Sequence, residues 1–321
     1  QLPLLFSPFL GYSGCMWIII IIAVVLFILW NTTLIGYRDV PKRQLESNEQ
    51  NAFSENGKPI IYKGGHSRCV LMVHGFPSTP SMYSYSAKRI HEAGYDVYVP
   101  LLPGFGTDPK DLENTTFMQW FDYLCRYYED LRGKYRTMHI IGTSMGGAMT
   151  LKLAERYCSS PSLAPSSIVS IAAPVVYNSI KDGIFTDLRQ YVARTIALFI
   201  PSIGARIVDG NQNGSDGGQD WVGYGGLMVR PGLSFIASLP KIRKDLNHVT
   251  CPLFALHDRG DTTIPFKNLS IIQKETRSRN LVSLETDMKG DGHSRHALLS
   301  YYSVQESLTD RIIAFMEEHD A

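Results

Sequence analysis

Short, fully apolar runs alternate with amphipathic stretches along most of the chain. Runs that are apolar on both faces are typical of parallel strands buried in the middle of a sheet. Residues 81–93 and 116–135, which lie between such runs, carry apolar side chains at three- and four-residue spacing, and this spacing predicts helices. The alternation predicts a doubly wound, mostly parallel α/β sheet. The predicted strands are CVLMV (69–73), YDVYVP (95–100), HIIG (139–142), SIVSIAAP (167–174), CPLFALHD (251–258) and NLVSLE (280–285).

One long segment breaks this alternation. Residues 175–248 separate the fourth and fifth predicted strands by far more than one helix needs, and they include the polar, glycine-rich run DGNQNGSDGGQD at 209–220. An insertion of this size inside a compact sheet predicts a cap that covers a site. The alternative is a surface excursion that has no part in binding.

The N-terminal 37 residues contain no charged side chain. An unbroken apolar run begins at Met16, and about 20 helical residues span the roughly 30 Å core of a bilayer. This predicts a single transmembrane helix over about 16–35, in preference to a signal peptide or a buried core helix. The cations that follow it, beginning with Arg38, place the rest of the chain on the cytoplasmic side by the positive-inside rule. A basic segment upstream of Gln1 would reverse that orientation.

Composition and charge narrow the range of possible functions further. Charged residues make up 19% of the 321-residue chain and the net charge is +1, so the sequence gives no sign of nucleic-acid binding. The five cysteines are scattered, and neither they nor the histidines show metal-ligand spacing. We therefore predict no disulfide framework, no metal and no organic cofactor.

The sequence GTSMG at 142–146 is the strongest sign of chemistry. A G-x-S-x-G motif is informative when a strand precedes it and a helix follows, because its serine then sits on a strained turn and its hydroxyl projects above the sheet. Here HII precedes Gly142, and MTLKLAERY continues after Ala148 as a predicted helix. Both parts of the context are present, so Ser144 is a candidate nucleophile.

A serine nucleophile needs a base and an acid, which follow it along the chain in this arrangement. The loop after CPLFALH offers Asp258 and Asp261, and the loop after the last predicted strand offers His293 and His296. Both loops fall at carboxyl ends of strands, where active sites of open α/β sheets lie.

An oxyanion needs two backbone N–H donors. One is expected from Met145, the residue after the serine. The other is expected from the loop HGFPSTP that follows CVLMV, where Phe76 is the natural donor.

Together these motifs resemble the α/β-hydrolase superfamily, and in particular bacterial monoacylglycerol lipases and small carboxylesterases. The similarity covers roughly residues 66–320 and rests on LMVHGFPSTPSM, AGYDVYVPLLPGFGT, GTSMGGAMTLKLAE, CPLFALHDRGDTTIP and GDGHSRHAL. The resemblance implies that Ser144 is the nucleophile, Asp261 the acid and His293 the base, and that Phe76 and Met145 are the oxyanion donors. Asp258 and His296 remain the alternatives.

The sequence therefore predicts a membrane-anchored serine hydrolase that cleaves a carboxylic ester, with monoacylglycerol or another lipid ester as the expected substrate. An acyltransferase, a thioesterase or a non-catalytic binding protein on the same fold are the alternatives. The predicted organisation is an uncharged N-terminal segment (1–37), a linker (38–58) and an α/β-hydrolase domain (59–321) with its cap. The sequence does not predict an oligomeric state.

Overall fold

The computed structural model describes residues 9–34, 36–39, 43–179, 181–184, 189–210, 216–217, 221–289 and 294–320. Within these residues the core of the molecule is a seven-stranded sheet in the order β1-β3-β2-β4-β5-β8-β9, and β6 and β7 form a separate hairpin. The strands are β1 Ile60–Tyr62, β2 Arg68–Val73, β3 Asp96–Val99, β4 Thr137–Thr143, β5 Ser167–Ile171, β6 Ile203–Asp209, β7 Val222–Leu227, β8 Leu253–Asp258 and β9 Leu281–Thr286.

All neighbouring strands of the main sheet run parallel except the edge strand β1, which pairs antiparallel with β3. The six strands predicted from apolar runs are therefore confirmed, and the fold class is confirmed with them. The apolar pattern does not reveal β1, because three residues are too few to show a pattern, and it does not reveal the β6–β7 hairpin.

Helices cover both faces of the sheet. Alternate residues of β2 belong to two different cores, with Leu71 and Val73 on one face and Val70 and Met72 on the other. The helices are α1 Phe9–Thr32, α2 Ser84–Glu92, α3 Pro109–Glu113, α4 Phe117–Arg132, α5 Met145–Tyr157, α6 Gln190–Phe199, α7 Val229–Asp245, α8 Lys267–Glu275 and α9 Gln305–Glu317. Helices α4, α5, α7 and α8 contribute to the first core, whereas α2 and α9 contribute to the second.

The predicted cap is the excursion between β5 and β8. Among its described residues it contains α6, the antiparallel β6–β7 hairpin and α7. The hairpin is joined to the loop after β2, because Tyr224 N donates to Pro77 O (3.0 Å) and Thr79 Oγ1 donates to Val222 O (2.8 Å). The cap therefore contacts the loop that was predicted to supply an oxyanion donor.

Helix α1 lies outside both cores. Its segment Gly14–Thr32 has a mean hydropathy of 2.6 and is long and apolar enough to cross a membrane. Only 6% of that segment is buried, so it is not a core helix of this fold. The predicted boundaries, about 16–35, differ from those of the apolar segment by two or three residues.

The predicted linker is not free along its described part. Gln119 Nε2 and Arg126 Nη2, both on α4, donate to the backbone carbonyls of Arg43 (2.8 Å) and Leu45 (3.0 Å). Phe53 N donates to Gly106 O at 2.8 Å. Residues 43–57 thus run along the surface of the sheet domain, which their polar, aperiodic sequence did not reveal.

Candidate active site

Ser144 lies on the turn between β4 and α5. Its backbone has φ 59° and ψ −122°, a left-handed conformation that is strained for a residue with a side chain. Its N–H donates to Ile171 O on the neighbouring strand β5 at 2.8 Å, and the residue is only 7% exposed. The surrounding structure therefore holds Ser144 in a strained conformation, as a nucleophile elbow requires.

The glycines on either side of Ser144 are required by close backbone contacts. A Cβ atom at Gly146 would lie 1.9 Å from Val73 O, and one at Gly142 would lie 2.1 Å from Gly146 O. Both distances are far below any contact between a carbon and an oxygen. The motif at 142–146 thus allows α5 to approach the end of β2 closely.

The loop after β2 lies directly beside Ser144. A Cβ atom at Gly75 would lie 3.2 Å from Ser144 Cβ and 3.8 Å from its Oγ, which brings the adjacent Phe76 into the same region. The Phe76 ring packs on Trp120 and Phe105, with centroids 5.9 and 6.0 Å apart. Because Met145 is the first residue of α5, its N–H has no acceptor within the helix.

His74 stabilises this loop through two hydrogen bonds. Its Nδ1 lies 3.0 Å from Gly75 O, and its Nε2 accepts from Leu102 N at 3.2 Å. These partners assign the hydrogen to Nδ1, since a carbonyl can only accept. Complete burial lowers the pKa of His74 to about 4, so the ring is neutral near pH 7. This fits a supporting role rather than one in proton transfer.

Asp261 follows β8, and its side chain is fully buried. Its Oδ1 accepts from the backbone N–H groups of Thr263 (2.7 Å) and Ile264 (2.9 Å). Its Oδ2 lies 2.7 Å from His296 Nδ1 and 3.0 Å from His257 Nε2. Burial alone would raise the pKa of Asp261, but hydrogen bonds from the two histidines and from Ile264 lower it to about 2.

The second acidic candidate, Asp258, has different partners. Its Oδ1 accepts from Gly260 N (2.8 Å), and its Oδ2 accepts from Thr286 Oγ1 (2.7 Å) and Met288 N (2.9 Å). It therefore ties the end of β8 to the segment after β9 and contacts neither histidine of the Asp261 cluster.

Of the two candidate histidines, only His296 can be placed relative to the acid. His293 lies outside the described residues, within the gap at 290–293. His296 Nδ1 contacts Asp261, and the loops carrying the two residues are also joined by a hydrogen bond from Thr262 N to Ser294 O at 3.0 Å. The residue before His296, Arg295, has a left-handed φ of 55°.

His257 is a member of the site that the sequence analysis did not identify. It is 1% exposed, and its Nε2 lies close to both Asp261 Oδ2 (3.0 Å) and Ile264 O (3.2 Å). Both atoms are acceptors, so Nε2 carries the hydrogen. The sequence held one indication of this role, because His257 lies four residues before Asp261, at the end of the predicted strand that precedes it.

A group of potential metal ligands lies elsewhere in the described structure. His66, His91 and Asp96 come together at the amino ends of the parallel strands, whereas Ser144 follows the carboxyl end of β4. The spacing of these residues in the sequence gave no indication of the group.

A sequence profile of the alpha/beta hydrolase family matches residues 70–300. The chain belongs to the alpha/beta hydrolase family. This hydrolase is 27% identical to a thermostable monoacylglycerol lipase from Bacillus sp. (strain H-257) over 274 residues, which are 85% of this chain and 99% of that protein.

A carboxylesterase from Bacillus subtilis (strain 168) is 28% identical over 138 residues, or 42% of this chain and 53% of the esterase. This match therefore spans about half of the curated esterase. A solved structure of a metagenome-derived lipolytic enzyme (LipS/LipT) superposes with a TM-score of 0.67 at 21% identity, covering 83% of this chain and 99% of that one. The relatives support ester hydrolysis as the class of reaction, and the structural match supports the fold.

Proposed function

We propose that this alpha/beta hydrolase is a membrane-anchored serine hydrolase that cleaves carboxylic esters through an acyl-enzyme. The observation that carries the proposal is the combination of Ser144 on its strained turn with the hydrogen-bonded Asp261–His296 pair. The nucleophile and the acid are those expected from the sequence. For the base we favour His296 over His293, because its Nδ1 contacts Asp261.

In the proposed mechanism, Nε2 of His296 takes the proton of the Ser144 hydroxyl as its Oγ attacks the acyl carbon. Asp261 keeps the hydrogen on Nδ1 of His296 and stabilises the imidazolium that forms. The N–H groups of Phe76 and Met145 donate to the tetrahedral oxyanion. The imidazolium then protonates the leaving alcohol, and a water molecule repeats the attack to release the carboxylic acid and regenerate Ser144.

The proposed membrane anchor is α1, and two residue pairs, each making two contacts, join its end to the cap helix α6. Asn31 Nδ2 donates to Thr195 Oγ1 (3.1 Å), and Asn31 Oδ1 accepts from Thr195 N (3.0 Å). Arg194 Nη1 donates to Trp30 O (3.1 Å), and its guanidinium carbon lies 3.5 Å from the centre of the Trp30 ring. These contacts support a position of the cap next to the end of the proposed membrane span.

The cap also exposes apolar side chains near this junction. Leu198 and Phe199 are 63% and 78% exposed at the end of α6. Exposed apolar patches can mark interaction surfaces, and the surface proposed next to α1 is lipid. Among the described residues of the cap, the other exposed apolar side chains are Val192, Ile200, Ile203, Ile207 and Leu227. An anchored enzyme whose cap meets lipid fits a monoacylglycerol or another membrane-partitioned ester as substrate.

The experiment compares the full chain in mixed micelles with its Ser144→Ala variant. Hydrolysis of a short aryl ester and of a medium-chain monoacylglycerol is measured, together with labelling by a fluorophosphonate. We expect both esters to be cleaved, and loss of the nucleophile to cost about 10⁴-fold or more in kcat and to abolish labelling. Cleavage of the aryl ester alone would contradict the lipid substrate. Equal activity of the variant would contradict the serine mechanism.

A further inference from the structure

A second cluster of polar side chains lies at the opposite end of the sheet from Ser144. His66 follows β1, His91 is in the last turn of α2, and Asp96 is the first residue of β3. One potential ligand atom from each residue lies within 4.8 Å of the other two. Three separate elements thus bring two imidazoles and a carboxylate together.

The His91 ring is held in the tautomer that a metal ligand needs. Its Nδ1 lies 2.8 Å from Tyr95 O, so the hydrogen is on Nδ1 and Nε2 keeps its lone pair. Metal-binding histidines typically donate their other ring N–H to a carbonyl or a carboxylate in this way. The ring also stacks on Tyr62, with centroids 5.4 Å apart and an interplanar angle of 20°.

Asp96 is 3% exposed and keeps room for one more partner. Its Oδ1 accepts from the backbone N–H groups of Gly64 (2.7 Å) and His66 (3.3 Å), and its Oδ2 accepts from Tyr135 Oη (2.8 Å). A carboxylate has about four lone-pair positions, so Oδ2 retains one. Burial alone would raise the pKa of Asp96, but these hydrogen bonds lower it below its ordinary value.

His66 completes the group from the solvent side. It is half-buried, and among the described residues its ring nitrogens have no hydrogen-bond partner. Its ring forms an edge contact with that of His91, with centroids 5.9 Å apart. Because His66 is only half-buried, an ion from solution can reach the group on the side where His66 lies.

We propose that His66, His91 and Asp96 bind a zinc ion, with water as the fourth ligand. Two imidazole nitrogens and one carboxylate oxygen suit zinc, whereas magnesium and calcium prefer all-oxygen sites. Ligand atoms about 2.1 Å from a tetrahedral zinc are roughly 3.4 Å apart, so the group closes slightly on the ion. His66 is on a loop that can supply this movement. The carboxyl end of α2 next to His91 also favours a cation.

We expect the zinc ion to stabilise the fold and to take no part in ester hydrolysis. The ion joins the loop after the edge strand β1 to β3 and to α2, at the amino ends of the strands. Zinc should therefore raise the melting temperature without changing ester hydrolysis, because the proposed reaction takes place at the other end of the sheet. The proposal is independent of the proposed function.

The experiment uses the full chain in detergent micelles after treatment with a chelator. Zinc is titrated against a chromophoric competitor, bound metal is counted by elemental analysis, and the melting temperature is recorded with and without zinc. The variants are His66→Ala and His91→Ala, and the matched control is His248→Ala, which removes an exposed histidine outside the group. We expect one zinc per chain, affinity reduced about 10-fold or more in both ligand variants, and no change in the control.

The zinc-dependent rise in melting temperature should likewise disappear in the two ligand variants and persist in His248→Ala. If His91→Ala does not fold, the result for His66→Ala decides whether the proposal holds. We expect His66→Ala to fold, because its side chain is on a half-exposed loop. The proposal is overturned if the parent binds no zinc saturably, or if His66→Ala and the parent bind it equally well.

Discussion

Nδ1 of His296 lies 2.7 Å from Oδ2 of Asp261, and this contact joins the loops that follow β8 and β9. The same carboxylate oxygen lies 3.0 Å from Nε2 of His257, which is buried behind it. Two N–H donors on one oxygen, with two backbone N–H groups on the other, keep Asp261 ionised inside the protein. An acid held in this way can fix the tautomer and the orientation of the ring of His296.

The first prediction separates the two histidines of the last loop. His296→Ala should lower kcat for an aryl ester by about 10⁴-fold or more, because it removes the ring that contacts Asp261. His293→Ala should leave kcat nearly unchanged. Both variants are assayed in parallel, with thermal unfolding as the control for folding. A large loss in His293→Ala with an active His296→Ala would contradict the assignment of the base.

This pair of histidines also shows which parts of the candidate site can be predicted from the sequence. The elbow at Ser144 was predictable because its signals are local: an apolar strand, two glycines at fixed positions and a helix. Chain order likewise pointed to the two loops that hold the proposed acid and the proposed base. The resemblance favours His293 as the base, whereas the contact with Asp261 favours His296, and that contact depends on how the loop turns at Arg295, which has a left-handed φ.

Contacts between distant segments were the other features that the sequence could not give. His66, His91 and Asp96 are close only because β1 pairs with β3 and α2 packs beside them. The β6–β7 hairpin has four glycines within its two strands, at 204, 223, 225 and 226, and these hide the alternation that marks a strand. The linker shows no pattern because two of its contacts with α4 are made by backbone carbonyls, which any residue supplies, and a third by the ion pair of Glu46 with Arg126.

The second prediction concerns stability in acid. The folded-state pKa of Asp261 is about 2, against an ordinary value of 3.8. A lowered pKa contributes stability that is complete above the ordinary value and is lost as the pH falls through about 2. Between pH 6 and pH 2 the free energy of unfolding should therefore fall by about 2 kcal/mol more in the parent than in Asp261→Asn. Denaturant unfolding over this range measures the difference, and parallel curves would contradict the prediction.

The third prediction concerns the close packing at the elbow. Gly146→Ala would place a methyl group 1.9 Å from Val73 O, so α5 and β2 would have to move apart. We expect the free energy of unfolding to fall by about 3 kcal/mol, at the upper end of overpacking costs, and fluorophosphonate labelling to be lost.

The matched control is Gly133→Ala, at the end of α4, where the nearest atom would be 3.8 Å away and φ is −71°. Its melting temperature should be unchanged or slightly higher. A Gly146→Ala variant as stable as the parent would contradict the packing argument.

The fourth prediction tests whether the exposed end of α6 contacts lipid. The double variant Leu198→Asp, Phe199→Asp replaces two side chains that contribute little to the core, being 63% and 78% exposed, so the fold should persist. Charges on this surface should oppose its insertion into lipid, whereas α1 still anchors the chain. We expect kcat/KM for monoacylglycerol in vesicles to fall about 10-fold, the effect of losing the burial of roughly one apolar side chain, with no change for a soluble aryl ester. The control is Ile61→Asp, on the edge strand β1 and 48% exposed, which should affect neither substrate. Equal losses on both substrates would mean that α6 shapes the active site instead of meeting the membrane.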